Sequence, residues 1–244
     1  MLRLGFLPSV AILASALVTD SFGAVISSTS KTEPTSNLEI SFVKVPDGNY
    51  GWKKTPTDVR NIGQTFTTTS SFTLNAFTLQ IDAMGSAAPG AAFSVSLYTY
   101  SSAASIVPTS TVWTDSGTFS NTLSSDFQNG EIYLTFSVPD TVLNANTTYG
   151  FVLYFTSPDS STQYISFAQK YGKPYAGGTL FYATSGTPGN PGTSSWVNTN
   201  NSLNFWIQSI PEPSFYAFCL VGIGLVLIGR GMRKQEGISQ EVGS

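Results

Sequence analysis

The sequence predicts an all-β protein: an antiparallel, jelly-roll-like β-sandwich flanked by an N-terminal signal peptide and a short C-terminal transmembrane helix. Three observations lead there. Apolar and polar residues alternate over short segments bounded by Gly, Pro, Asn, Asp and Ser, which is the period of half-buried strands. Aromatic residues make up 13 % of the chain and charged residues only 10 %, a balance that suits pleated surfaces better than amphipathic helices. Two apolar runs stand at opposite ends of an otherwise polar chain of 244 residues.

The first element is a leader. Met1-Leu2-Arg3 carries one positive charge, an apolar run follows from Leu4 to Val18, and Thr19-Asp20-Ser21-Phe22-Gly23-Ala24 closes it with small residues. That order is the pattern of a secretory signal peptide, and the run is shorter than the roughly 20 residues of a spanning helix. Ser21 and Gly23 suit the small positions before a cut after Gly23; a cut after Ala24 is the alternative. Residues 1–23 are therefore read as signal peptide. Residues 24–36 are rich in Ser and Thr without apolar period, and are expected to form a linker.

Residues 37–209 are expected to form the sandwich. In Phe77-Thr78-Leu79-Gln80-Ile81, the first, third and fifth side chains share one face. Segment 92–100 puts Phe93, Val95 and Leu97 inward and Ser94, Ser96 and Tyr98 toward a wetter face. Segment 131–138 does the same with Ile132, Leu134, Phe136 and Val138, and segment 149–155 with Tyr149, Phe151, Leu153 and Phe155. Leu203, Phe205 and Ile207 continue the pattern, and 38–44, 62–69, 163–169 and 178–183 are further strands. One apolar face per strand calls for a second layer against it. No segment of this region holds a helical period.

The last element runs from residue 210 to 234. Pro211-Glu212-Pro213-Ser214 interrupts any regular structure, Phe215 to Gly229 is apolar on all faces, and Arg230, Arg233 and Lys234 end it. The cations keep that end cytoplasmic, which leaves the polar middle outside. Residues 235–244 form a polar tail. This tripartite order resembles the PEP-CTERM sorting signal of exported bacterial proteins. The resemblance implies recognition by an exosortase-type processing enzyme, removal of the tail, and a setting in exopolysaccharide. A second resemblance lies in "NIGQTFTTTSSFTLNAFTLQI" (61–81), "AAFSVSLYTY" (91–100) and "LNANTTYGFVLYF" (143–155), which look like a choice-of-anchor R domain. It implies a displayed β-domain and supplies no catalytic residues.

Inventory narrows the chemistry. The chain has no His, and its one cysteine, Cys219, lies in the C-terminal apolar run. Serine-histidine-acid, cysteine-histidine and zinc sites of the usual composition are thus excluded. A net charge of −3 without a basic patch argues against nucleic acid as a partner. Carboxylates remain, and Asp126 and Glu131 are the residues on which a glycan hydrolase would be tested. The oxygen-rich stretch Asp126-Phe127-Gln128-Asn129-Gly130-Glu131 would suit a structural calcium ion, or simply a turn. Trp52, Trp113, Tyr171, Tyr175 and Trp196 fall in turn-rich segments, where exposed rings stack on sugars and buried ones close a core. The expectation is an exported, non-enzymatic surface or matrix protein without a cofactor, in transit through the inner membrane, with extracellular polysaccharide as its partner. The competing expectations are a carboxylate-dependent hydrolase and an unprocessed single-pass anchor.

Overall fold

The computed structural model describes residues 24–85, 90–157, 162–172, 175–185, 187–190 and 195–210. The leader Met1–Gly23, the motif Pro211–Ser214, the apolar run Phe215–Gly229 and the basic cluster Arg230, Arg233 and Lys234 lie outside them. Among the described residues no helix is long and apolar enough to cross a membrane.

The described chain is all-β and antiparallel. Numbered in chain order, its main path of hydrogen-bonded neighbours runs β1 (Ile26–Ser30), β8 (Tyr133–Leu143), β5 (Phe72–Met84), β10 (Gln163–Lys170), β3 (Gly48–Lys54), β4 (Val59–Thr67), β9 (Thr148–Phe155), β6 (Ala92–Tyr100) and β7 (Pro108–Thr118). β14 (Phe205–Ser209) lies between β5 and β2 (Leu38–Phe42), β11 (Leu180–Ala183) between β4 and β12 (Trp196–Asn198), and β13 (Ser202–Leu203) pairs with β10. The sheet curls until it is nearly a barrel. Its two ends meet where the Val25 N–H donates to the Ser116 carbonyl at 2.9 Å. Gly117 permits the approach, because a Cβ there would stand 2.2 Å from the Val25 carbonyl oxygen.

The alternating segments face inward as expected. Phe77, Leu79 and Ile81, Phe93, Val95 and Leu97, and Phe151, Leu153 and Phe155 are all buried in one core. Rings bridge it between strands that share no hydrogen bonds. Phe77 stacks on Phe151 at 4.3 Å between ring centroids, and Trp52 on Phe155 at 3.9 Å.

Four expectations are corrected. Residues 26–30 are a strand and not linker. β1 pairs with β8 in register from Ile26↔Ser137 to Ser30↔Tyr133, and Val25 is buried at the seam. Ser and Thr tolerate an exposed strand, and a strand wet on its outside needs no apolar period. Three further strands are unmarked in the sequence pattern: the glycine-bearing β3, the mostly exposed β7 and the three-residue β12. The second face of β6 and β9 is not wet. Ser94, Ser96, Tyr98, Val152 and Tyr154 are buried on it, beneath Phe181 and Trp196 and the chain around Gly189. Finally, a short helix, α1 (Leu123–Gln128), precedes β8. It ends at Gly130, whose φ is 89°, with the Gly130 N–H on the Phe127 carbonyl and the Glu131 N–H on the Asp126 carbonyl. That paired closure is the glycine-terminated helix end, so Asn129-Gly130 is no hairpin turn.

Candidate functional site

The five aromatic residues singled out in the sequence do not gather. Trp52 of β3 has no accessible surface and packs on Phe93, Phe119, Phe155 and Phe167. Trp113 points inward from β7 and is also buried. Neither offers a face to a sugar. Trp196 is half-buried against Phe181, edge-on at 5.3 Å. Tyr175 is half-buried, edge-on to Phe205 at 5.2 Å, and lines a shallow hollow with Ala103, Ala104 and Gly178. Tyr171 alone is open, at 52 % exposure. It lies over Gly48, beside an ion pair of Lys170 with Asp47. The Lys170 ammonium and the Tyr171 N–H, both donating to Asp47, hold its carboxyl below the usual range.

A different group is brought together at the corner where β3, β4 and β11 meet. The turn joining β3 to β4 is tied by the Thr55 N–H to the Asp58 carbonyl at 2.8 Å and by the Asp58 N–H to Thr55 Oγ1 at 2.9 Å. The two strands then pair only at Lys53↔Arg60 and Lys54↔Val59 before parting, β3 to β10 and β4 to β9 and β11. The parting leaves room for three side chains. Tyr50 comes from β3 and Arg60 from β4. Tyr182 comes from β11, opposite Ile62 and therefore on the face of Arg60.

These groups touch in a triangle. The Tyr50 and Tyr182 centroids are 5.6 Å apart, and the Arg60 guanidinium carbon stands 5.2 Å from the first and 5.7 Å from the second. All three are half-buried, with the rings resting on the core's edge. Burial pushes the Tyr50 phenol up to about 12, against the opposing pull of Arg60, so it stays a neutral hydroxyl at any ordinary pH. Arg60 has no carboxylate partner among the described residues; its contacts are the two rings. Rings under a guanidinium face leave its N–H edge free to donate, so the corner can bind an acceptor while presenting apolar ring surface beside it. Nothing in the apolar alternation marks this group. The one available signal was Arg60 itself, a cation at a strand start in a chain with few charges.

Two of the acidic residues are neighbours, Asp126 and Glu131, joined by the Glu131 N–H on the Asp126 carbonyl at 3.0 Å. Asp126 accepts from the Thr122 hydroxyl at 2.8 Å and Glu131 from the Thr29 hydroxyl at 2.7 Å, beside a small cavity that Thr29 and Asp126 both line. The other acids are dispersed. Glu33 accepts from the Trp206 indole at 3.1 Å, Glu39 from Ser209 at 2.7 Å and Asp82 from Asn49 at 2.6 Å. Among the described residues no three acidic or thiol side chains converge as metal ligands. Compared with known proteins, the chain matches no family model, no curated protein and no solved structure.

Proposed function

We propose that this chain is an exported, non-enzymatic surface or matrix protein, a jelly-roll-like sandwich that binds glycan and is sorted by a PEP-CTERM signal. The observation that carries the molecular role is the Tyr50–Arg60–Tyr182 corner. It is the place where rings and an uncommitted cation stand together half-open, in a domain whose other large aromatic side chains are mostly sealed. Carbohydrate recognition uses this chemistry: ring faces for the C–H surface of a sugar, and a fixed donor for its oxygens. The stacking of Phe77 on Phe151 between strands that do not pair supports the layered arrangement.

The sorting half rests on the order Pro211-Glu212-Pro213-Ser214, apolar run, basic cluster. Two prolines flank Glu212, a sequence feature that a processing enzyme such as an exosortase can read. A non-enzymatic role is favoured because the carboxyls of Asp126 and Glu131, though neighbours through the Glu131 N–H on the Asp126 carbonyl, are each engaged by a hydroxyl, of Thr122 and of Thr29, where a glycosidase needs two free carboxyls facing across one cleft. The test is a binding screen of the full chain against neutral and acidic polysaccharides, with Tyr182→Ala beside it. Retention that weakens in the variant supports the reading. Turnover of a polysaccharide that is lost on Asp126→Asn or Glu131→Gln overturns it.

A further inference from the structure

We infer that the Tyr50–Arg60–Tyr182 corner takes acidic polysaccharide of the uronate type, with Arg60 holding a sugar carboxylate and the two tyrosine rings forming the floor. This rests on the glycan-binding reading and names the class of glycan. Three observations carry it. Arg60 has no anion of its own among the described residues, whereas its cross-strand neighbour Lys53 is paired with Asp58. The guanidinium spends its contacts on the rings, so its fork of N–H donors stays available, the shape that matches a carboxylate. The hairpin is also basic in sequence: residues 53–60 carry Lys53, Lys54 and Arg60 with Asp58, Lys54 donating to the Ser157 carbonyl, in a chain whose net charge is −3.

Two adjacent rings tilted 39° to each other favour a sugar over an acidic peptide, because aromatic surface next to the charge rewards a C–H face. The Tyr50 and Tyr182 rings flank the guanidinium, and their hydroxyls are donors that a sugar's oxygens can accept from.

The experiment uses the full chain in mild detergent and measures binding to four polymers: polygalacturonate, its full methyl ester, dextran and polyglutamate. The expected result is retention on polygalacturonate, with the ester and polyglutamate bound at least ~10-fold more weakly, the loss of one charge-assisted forked pair. Arg60→Gln should fall to the level of the ester, and Arg60→Lys, which keeps charge without the fork, should lie between. Equal binding of the ester, equal binding of polyglutamate, or an Arg60→Gln variant within about twofold of wild type would each overturn the inference. If Arg60→Gln does not fold, the ester comparison on wild-type protein decides alone. Dextran bound as tightly as polygalacturonate, by wild type and variant alike, sinks the uronate inference and spares the glycan reading. Retention on none of the three sugar polymers sinks both.

Discussion

Phe181 and Tyr182 are neighbours on one short strand and meet opposite fates. Phe181 faces the outer side of the sheet and is fully buried with Tyr98, Tyr100, Val152 and Tyr154. Tyr182 faces the other way, at the corner where β3 and β4 part, and is half-open beside Arg60. The difference is made by what lies over each ring. The chain around Gly189 covers the phenol cluster, its N–H donating to the hydroxyls of Ser96 at 3.0 Å and Tyr98 at 3.2 Å. Nothing among the described residues caps Arg60. Two aromatic groups of similar composition thus differ: one is core, and the other is an open surface for which we propose a binding role.

The comparison is broken most severely by removing Phe181. Phe181→Ala should cost about 3 kcal/mol in denaturant unfolding, the loss expected for a buried phenylalanine. A cost below about 1 kcal/mol would mean that the outer cluster is not a packed core. Gly63→Ala is next. A Cβ there would stand 2.3 Å from the Phe181 ring and 2.7 Å from the Phe151 carbonyl oxygen. Overpacking of that kind should cost about 1–3 kcal/mol.

Two hydroxyls sharpen it further. Tyr98 and Tyr154 hydroxyls lie 3.1 Å apart, while the buried Tyr100 hydroxyl has no partner among the described residues. Tyr98→Phe should therefore destabilise by about 1 kcal/mol, and Tyr100→Phe should be neutral or slightly stabilising, since it removes an unmet polar atom. Alkali separates them as well. Burial, reinforced by Tyr154 and Tyr98, raises the Tyr100 phenol well above its ordinary range, and burial raises Tyr50 to about 12. Unfolded tyrosines ionise near pH 10. The folded chain therefore holds these protons longer than the unfolded one. Stability is full below about pH 10 and falls as pH rises through 10 towards 12 and above. Tyr100→Phe should flatten that fall, read from unfolding free energies at pH 9 and pH 11. An unchanged slope would contradict the burial of the hydroxyl.

The smallest effect belongs to the open corner. Arg60→Gln should change stability by no more than about 1 kcal/mol, the worth of a partly exposed cation over rings. A larger loss would make Arg60 a structural strut and weaken the case for binding.

The same contrast explains what the sequence made legible. Inward positions such as Phe93, Val95 and Leu97 could be read because a strand with one dry face leaves a period-two trace. Alternation identifies which residues share a face, but it does not say whether the other face is wet. Tyr98 was assigned to water because its neighbours Ser94 and Ser96 are polar; all three lie under a distant segment that local pattern cannot place. β3 escaped because Gly48 and Gly51 lie under the Tyr171 and Tyr164 rings, so small residues stand where an apolar one would mark a strand. Trp52 was misread as a loop ring for the same reason. Asn146 and Asn200 head glycosylation-like triplets, yet each has a positive φ in an exposed turn, which accounts for asparagine there. The corner is completed at long range: Tyr50 and Arg60 share one hairpin, but Tyr182 joins them only through the pairing of β11 with β4, far apart in the chain.

Hydroxyl-radical footprinting of the tyrosines, with and without polygalacturonate, tests the central claim most directly. The proposal predicts that Tyr50 and Tyr182 are oxidised in the free protein and protected by the polymer. Tyr98, Tyr100 and Tyr154 should stay silent in both states, and the exposed Tyr171 should be oxidised in both. Protection at Tyr171 with none at Tyr50 and Tyr182 would place binding elsewhere and contradict the account.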